Sequence, residues 1–178
     1  MELQPDQYIR IIPPPPVVLV STLYGEVKNV APFGMNMPVS FEPPLYAIGV
    51  SPKRDTYHNI MDTGEFVVGV PGPELVRQID AAAKSFPRDV SEFVESGLTP
   101  VPSKAVLPFR IGECQANLEC RLEWVKEAGD HFIIVGRVLV AWVRDDLVTG
   151  KPSRRAIDPV YHVQTGVYAR KGEILDWP

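Results

Sequence analysis

The chain has 178 residues, of which 45% are hydrophobic and 22% are charged, and its formal net charge is −4. These proportions are typical of globular proteins and argue against global disorder, and the length predicts one domain over residues 1–178. The slight acidic excess argues against nucleic acid as the main partner. The longest apolar runs, Val17–Val20 and Phe132–Val135, are too short to span a bilayer. The N-terminal residues do not resemble a signal peptide, so we expect a cytoplasmic protein with no membrane partner.

The first part of the chain is predicted to form paired strands and one short helix. β-Branched and apolar residues predict a strand over Val17–Tyr24, which a tight turn joins to a hairpin partner over Val27–Phe33. Another apolar run predicts a strand over Leu45–Val50. The next segment, Asp55–Asp62, predicts a short helix with its first residue as the N-cap and Gly64 just past its end.

The rest of the chain shows strands and short helices without a repeating βαβ period. The predicted elements are a strand (Glu65–Val70), a helix (Gly72–Ser85), a short helix (Val90–Glu95), two long strands (Glu113–Lys126 and His131–Arg144) and a final strand (Val167–Arg170). This order favours a mainly β fold with a few short helices, arranged as a Greek-key-like antiparallel barrel rather than a doubly wound sheet.

Both cysteines, Cys114 and Cys120, are predicted to lie in the first long strand. An extended chain rises roughly 3.3 Å per residue, so about 20 Å would separate them and no disulfide could form. Their even spacing predicts that they share one face with the alternate residues Ala116, Leu118, Leu122 and Trp124. We interpret both as small core residues, and no spacing of cysteines and histidines indicates a metal site.

A basic turn, Ser51-Pro52-Lys53-Arg54-Asp55-Thr56, connects a predicted strand to a predicted helix. A helix N-terminus presents free amides and a partial positive charge. With the hydroxyls of Ser51 and Thr56 and the guanidinium of Arg54, this turn could bind a phosphate monoester. The alternative is an ordinary surface turn that caps its own helix.

The segment Asn29–Ser40 is predicted to be irregular, because its prolines and Gly34 disfavour a regular ladder. Asn29 and Asn36 offer donors and acceptors that suit the edge of a flavin or pterin ring. Met35 and Met37 offer soft apolar contact for its face. The alternative is that the methionines fill the core and the asparagines satisfy turns.

His131 begins the second long strand, directly after Gly129-Asp130. It could donate a hydrogen bond to a reduced flavin or to a bound nicotinamide; the alternative is an ordinary surface histidine. No nucleophile elbow or paired-carboxylate motif supports hydrolase chemistry.

These segments together resemble the flavin reductase-like, FMN-binding split-barrel family, in its flavoredoxin branch. The likeness covers roughly Val17 to Val143, and its order and spacing are more specific than any single block. The matching blocks include VVLVSTL, NVAPF, PVSFEPPLYAIGV, KRDTYHNI, TGEFVVGVP, the LEC strand and GDHFIIVGRV.

The resemblance implies a split β-barrel that forms a homodimer and binds FMN near the subunit interface. It implies that Asn29 and the loop from Pro32 to Asn36, which includes Phe33 and Met35, contact the isoalloxazine ring. It also implies that Ser51, Arg54 and Thr56 hold the phosphate, and that His131 approaches the flavin from the other subunit as the catalytic residue.

Two positions depart from the family pattern. Relatives often have Asp-Lys-Phe where this chain has Ser91-Glu92-Phe93, so Glu92 reverses a positive charge expected near the flavin. A carboxylate there would disfavour the anionic reduced flavin and lower its reduction potential. Met35 stands where some relatives have a tryptophan, which would stack more strongly.

Three functions follow from the resemblance. The first is an oxidoreductase that passes electrons from NADH or NADPH through FMN to a small-molecule or protein acceptor. The second is an electron carrier with tightly bound FMN and no NAD(P)H activity. The third is a non-redox FMN-binding protein.

Overall fold

The computed structural model describes residues 2–148 and 150–174, and β-strands dominate this part of the chain. Its α-helices are α1 (Asp55–Thr63), α2 (Val76–Ala82) and α3 (Glu92–Ser96), none of them long and apolar enough for a membrane span. The strands are β1 (Val18–Tyr24), β2 (Val27–Phe33), β3 (Asn36–Phe41), β4 (Pro44–Val50), β5 (Glu65–Val70), β6 (Pro100–Val101), β7 (Arg110–Ile111), β8 (Ala116–Ala128), β9 (His131–Val143), β10 (Val160–Gln164) and β11 (Val167–Arg170).

Seven strands form one antiparallel sheet in the order β2-β1-β5-β8-β9-β4-β3. Its two edge strands, β2 and β3, are separated in the chain by Gly34 and Met35 alone. Because an extended residue spans at most about 3.6 Å, the sheet must curl until its edges nearly meet. The result is a barrel that is open between β2 and β3, which confirms the predicted antiparallel barrel.

The barrel wall is buried on both sides at β1. The inner cluster fills the barrel and contains Val18, Val20, Ile48, Val50, Ile60, Phe66, Val68, Cys120 and Ile134. The outer cluster lies between the wall and α2, α3 and the C-terminal hairpin, and contains Val17, Leu19, Val30, Leu75, Ile79, Ala82, Phe93, Leu98, Ile111, Cys114 and Val160. Side chains alternate along β1, so consecutive residues enter different clusters. Since α1 contributes Ile60 to the inner cluster, this helix closes one end of the barrel.

Two β-bulges in the β8–β9 ladder, the first on β9 and the second on β8, limit the prediction that alternate residues of β8 share one face. The register with β9 shifts between Glu119 and Cys120 and again between Leu122 and Trp124. Beyond the second bulge it is Val125 that packs against the inner cluster, whereas Trp124 is 45% exposed. A bulge inserts an extra residue and reverses the side-chain alternation, so the predicted place of Trp124 is wrong.

Both cysteines are free and buried, as predicted, but they do not share a face. Cys114 precedes β8 and packs in the outer cluster, whereas Cys120 lies in the inner cluster. The prediction failed because the regular strand begins only at Ala116. Burial raises the pKa of both thiols, that of Cys120 to about 12, so neither is a reactive thiolate at neutral pH.

The helices depart from the predictions at their ends. Arg54, not Asp55, is the N-cap residue of α1, and no side chain caps this helix. Gly64 ends α1 in the left-handed conformation (φ 70°), as predicted. The helix predicted over Gly72–Ser85 is instead a 3-10 turn over Pro73–Leu75 followed by α2, and the chain leaves the helix after Ala82.

The segment predicted as irregular is mostly regular. β2 stays paired with β1 through Phe33, and β3 pairs with β4 from Asn36 onward. Only Gly34 and Met35 are outside the ladder, along with a register shift between Pro38 and Ser40. Both Pro32 and Pro38 lie on edge strands, where a proline nitrogen can face away from the ladder, and Pro38 also stands at the register shift; these are the places where sheets tolerate proline.

Candidate functional site

A cavity of about 370 Å³ lies where the end of β2 faces the start of α1, and we call it the main cavity. Three further elements complete its wall: the turn before α1, the segment that follows α2, and the first residue of α3. Its lining residues are Asn29, Ala31, Pro32, Phe33, Lys53, Arg54, Asp55, Thr56, Ala82, Ala83, Lys84, Ser85, Phe86 and Glu92.

Two smaller cavities continue from the main cavity. The bridging groove, about 170 Å³, shares Pro32, Phe33 and Arg54 with it and reaches Met35 and His131. The apolar groove, about 350 Å³, shares Met35 and His131 with the bridging groove. The structure therefore places every predicted site residue along one continuous depression: Asn29, Pro32, Phe33, Met35, Asn36, Ser51, Arg54, Thr56 and His131.

Positive charge concentrates at the α1 end of the main cavity. Within the described residues Arg54 forms no ion pair, and Lys53 lies next to it on the cavity wall. Because no side chain caps α1, its first amides are available to a ligand. The Ser51 hydroxyl lies 3.4 Å from the backbone nitrogen of Lys53 in the same turn. This donor set has the chemistry that a phosphate group requires.

Asn29 belongs to a buried polar network rather than standing free in the cavity. Its Nδ2 donates to Glu92 Oε1 at 2.8 Å, and its Oδ1 accepts from the Thr22 hydroxyl at 3.1 Å. Thr56, itself buried, has its hydroxyl 3.5 Å from the same Oδ1. Contact of Asn29 with a flavin ring stays a prediction. In the structure, the hydrogen bond from Asn29 orients the Glu92 carboxyl.

The Asn59 side chain extends this network to the protein surface. Its Nδ2 donates to the Thr22 hydroxyl at 3.0 Å, and its Oδ1 accepts from Arg88 at 3.1 Å. Arg88 also stacks on the Tyr24 ring, 3.9 Å from its centroid, and lies 3.7 Å from Asp55. The network thus ties the segment after α2 to α1 and holds two walls of the main cavity together.

Asn36 fixes the connection between the two edge strands. Its Nδ2 donates to the carbonyls of Pro16 at 2.8 Å and Phe33 at 3.1 Å, while its Oδ1 accepts from the Tyr46 hydroxyl at 2.6 Å. Both amide hydrogens are therefore used within the protein. Its contact with a flavin ring stays a prediction, and its position at the groove depends on these three bonds.

Met35 forms an exposed apolar surface between the two grooves. Its side chain is 54% exposed, and its carbonyl accepts from the Gly49 amide at 2.8 Å. A Cβ at Gly49 would lie 2.9 Å from the Met35 Cβ, closer than packed atoms normally approach. Gly49 is therefore needed for Met35 to lie flat on the barrel wall.

His131 stands where the bridging groove meets the apolar groove. Its Nδ1 lies 2.9 Å from Asp130 Oδ1, and its side chain is 31% exposed. This hydrogen bond is the main cause that lowers the pKa of the Asp130 carboxyl. The bond to Asp130 orients the ring and leaves Nε2 available to a ligand in the grooves.

Glu92 is the main site residue that the predicted set did not include. It is 7% exposed and lines the main cavity, and among the described residues nothing forms a hydrogen bond with its buried Oε2. Burial is the largest cause and raises the pKa of this carboxyl; the backbone amide of Glu92 itself opposes it, Asp55 adds to the rise, and hydrogen bonds from the Val30 backbone and Asn29 oppose it more weakly. The signal in the sequence was the reversed charge in Ser91-Glu92-Phe93.

Comparison with known families and structures identifies the fold. The model of the flavin reductase-like domain matches residues 13–170 of this chain. A structure of nitrilotriacetate monooxygenase component B from Bacillus cereus is 26% identical, with a TM-score of 0.90 over 99% of this chain and 98% of that one.

Two other structures agree with this match. Flavoredoxin of Desulfovibrio vulgaris (Miyazaki F) is 26% identical, with a TM-score of 0.84 over 93% of this chain and 91% of that one. A Shewanella frigidimarina NCIMB 400 protein, described as a flavin reductase with a split barrel domain, is 20% identical, with a TM-score of 0.87 over 99% and 93%. At that identity the last likeness shows the fold alone, and this fold is the split barrel.

Proposed function

The chain belongs to the flavin reductase-like family, and on that premise we propose that it is an FMN-binding oxidoreductase. The observation that carries the proposal is the pairing of an uncapped helix, α1, with the unpaired Arg54 at the rim of the main cavity. Both features present unused positive charge to the same space. A phosphate monoester is a ligand group that can accept hydrogen bonds both from the first amides of α1 and from the Arg54 guanidinium.

The phosphate of FMN would lie against the start of α1. The amides of its first turn and the Arg54 guanidinium would donate to the phosphate oxygens, with the hydroxyls of Ser51 and Thr56 at the same turn. Because Thr56 is buried and Arg54 is exposed, the phosphate would be held from the protein side and covered from the solvent side.

The flavin ring would extend from the main cavity along the bridging groove. Pro32, Phe33 and Met35 offer apolar contact for its face, and His131 stands at the far end of this groove. When bound, FMN supplies hydride and single-electron transfer, chemistry that no side chain of this site provides. The protein would bind and orient the ring, limit its exposure to water, and present the imidazole of its own His131, rather than that of the other subunit as the resemblance implied, as the catalytic hydrogen-bonding group.

The apolar groove would receive the electron donor or acceptor. It continues from Met35 and His131, and Met37, Phe132 and Ile133 add to its wall. A flat, uncharged ring such as a nicotinamide suits such a surface. We propose NADH or NADPH as the donor and a small molecule or protein as the acceptor.

We also propose that the protein is a homodimer. β3 is an open edge of the sheet, and beyond the apolar groove its side chains Val39 and Phe41 are 41% and 85% exposed. An exposed apolar edge strand favours association, and a second copy would cover it. Replacing Phe41 by Glu should convert the dimer to a monomer in analytical ultracentrifugation; a wild-type protein that sediments as a monomer would exclude the dimer.

The function is tested by a visible absorption spectrum of purified protein, followed anaerobically after addition of NADH or NADPH. A yellow protein that bleaches with either nucleotide is the expected result. Bleaching with dithionite alone would indicate an electron carrier instead. A colourless protein that takes up no added FMN would overturn the site.

A further inference from the structure

Glu92 has an unused hydrogen-bonding atom in the wall of the main cavity. Its Oε1 accepts from Asn29 Nδ2 at 2.8 Å, but its Oε2 is buried and has no partner. More than nine-tenths of the residue is buried. An ionised carboxylate in such a place would leave a desolvated charge only half satisfied, and that is costly.

The charges around Glu92 come from several elements. On α1, Asp55 lines the same cavity, is itself 35% exposed, and lies 3.7 Å from Arg88. Lys53 and Arg54 stand before α1, and Lys84 follows α2, all with solvent-exposed side chains on the cavity wall.

The other ionisable groups of the neighbouring elements are directed elsewhere. On β2, the Lys28 ammonium lies 4.7 Å from the centroid of the Phe109 ring. On α2, Arg77 is exposed and Asp80 accepts from the Tyr168 hydroxyl at 2.5 Å. On α3 itself, Glu95 is exposed. The charge that acts on Glu92 at short range is thus the like charge of Asp55.

We propose that Glu92 is the proton-holding residue of the main cavity, so that an anionic ligand binds together with one proton from solvent. The proton is taken up at the Glu92 carboxyl, and Oε2 then donates it in a hydrogen bond to the ligand. This inference rests on the proposed function, since FMN is the anion expected there.

Elementary electrostatics explains why binding of an anionic ligand would be coupled to uptake of a proton by Glu92. The cavity wall carries two carboxyl groups, Glu92 and Asp55, besides the solvent-exposed cations Lys53, Arg54 and Lys84. A ligand phosphate adds negative charge to this space, and added like charge favours protonation of a carboxylate. The buried member of this pair takes the proton because its charged form is already disfavoured by desolvation. Asn29 holds Oε1, so the free proton position is at Oε2, on the side without a protein partner. A neutral acid would thus supply a hydrogen-bond donor to the ligand.

The test compares FMN binding by wild type, Glu92→Gln and Glu95→Gln between pH 5 and pH 7.5. Glutamine keeps the shape of Glu92 but cannot ionise, and Glu95→Gln is a matched control on the exposed side of α3. We expect wild type and Glu95→Gln to lose affinity more steeply with rising pH than Glu92→Gln. The difference should approach about tenfold per pH unit, the limit for one coupled proton. Protons that the FMN phosphate itself releases affect all three proteins equally, so they cancel when the wild-type affinity is divided by that of Glu92→Gln at each pH.

A direct measurement of the protonation of the Glu92 carboxyl completes the test. The ¹³C resonance of the Glu92 carboxyl, assigned by its loss in Glu92→Gln, should titrate at a higher pH when FMN is bound. FMN binding with parallel pH profiles in all three proteins would overturn the role of Glu92 and leave the proposed function intact. FMN that binds to none of the three at any pH would overturn both.

Discussion

Two buried glutamates in this chain face opposite situations. Glu119, on β8, is fully buried, and its carboxylate accepts from the backbone amides of Lys104 and Ala105 and from the indole of Trp142, with Arg110 at 3.8 Å. Glu92, on α3, has one side-chain donor, a like charge nearby and one oxygen without a partner. The first is satisfied within the protein, whereas the second is satisfied only in part.

This difference in hydrogen-bond partners separates a buried carboxylate that holds the fold together from one that could serve a ligand. Glu119 fastens the segment before β7 to the barrel wall through the amides of Lys104 and Ala105, and the Trp142 indole of β9 adds a third donor from the wall itself. Glu92 lies beside a cavity, so a ligand or a proton can complete its hydrogen bonding. A buried carboxylate that lacks partners is costly to keep, and its position beside the main cavity gives it a use there.

The largest effect is expected from Glu119→Ala. The change leaves two backbone amides and the Trp142 indole without an acceptor and leaves Arg110 unpaired, which should lower the free energy of unfolding by about 3–5 kcal/mol. Urea unfolding measures it. Glu123→Ala, on the exposed part of the same strand, is the control and should change stability little. A small effect of Glu119→Ala would show that the two glutamates do not differ as described.

Arg54→Ala tests the cavity beside Glu92 rather than the fold. Loss of a charge-assisted hydrogen bond should weaken FMN binding by about 1.5–3 kcal/mol. Stability without FMN should stay unchanged, because Arg54 is exposed and unpaired within the described residues. Arg77→Ala, an exposed arginine on α2, controls for overall charge. Equal FMN affinity in wild type and Arg54→Ala would remove Arg54 from the site.

Asn29→Ala would deepen the contrast by removing the side-chain donor to Glu92. The buried carboxyl and the Thr22 hydroxyl then both lose a partner, and unfolding should become easier by about 1–3 kcal/mol. Because the lost hydrogen bond favoured the charged form, the pKa of Glu92 should rise further. The ¹³C titration of the Glu92 carboxyl measures this change; a lower pKa in the variant would contradict the network.

Glu92→Gln should give the smallest change in the free energy of unfolding, and at neutral pH this change should be a gain in stability. The pKa of Glu92 is raised in the folded state, so the folded protein holds more protons than the unfolded chain in the range between the two pKa values. Stability therefore falls as pH rises through that range, with a slope of at most about 1.4 kcal/mol per pH unit. Relative to wild type, Glu92→Gln should gain stability at neutral pH and lose this advantage near pH 4. Thermal unfolding at both pH values measures it, and a variant that is less stable at neutral pH would contradict the account.

The strands of the barrel could be predicted because their apolar runs are long and β-branched, as in β1 and β5. The bulges of the β8–β9 ladder could not, since they depend on how the two strands pair and not on the local residue pattern. The turn between β4 and α1, where we propose that the phosphate binds, could be located from local chemistry, because a strand, a basic turn and a helix are consecutive there. The partners of Asn29 were not, because Glu92 lies 63 residues away in the chain.

The proposal that the main cavity binds FMN through its phosphate is tested most directly by titrating purified protein with FMN and, separately, with riboflavin, followed by flavin fluorescence. We expect saturable binding of equimolar FMN, competition by inorganic phosphate, and at least about tenfold weaker binding of riboflavin, which lacks the phosphate. Equal affinity for both flavins would show that the Arg54 end of the main cavity holds no phosphate. The absence of saturable binding by either flavin would contradict the account as a whole.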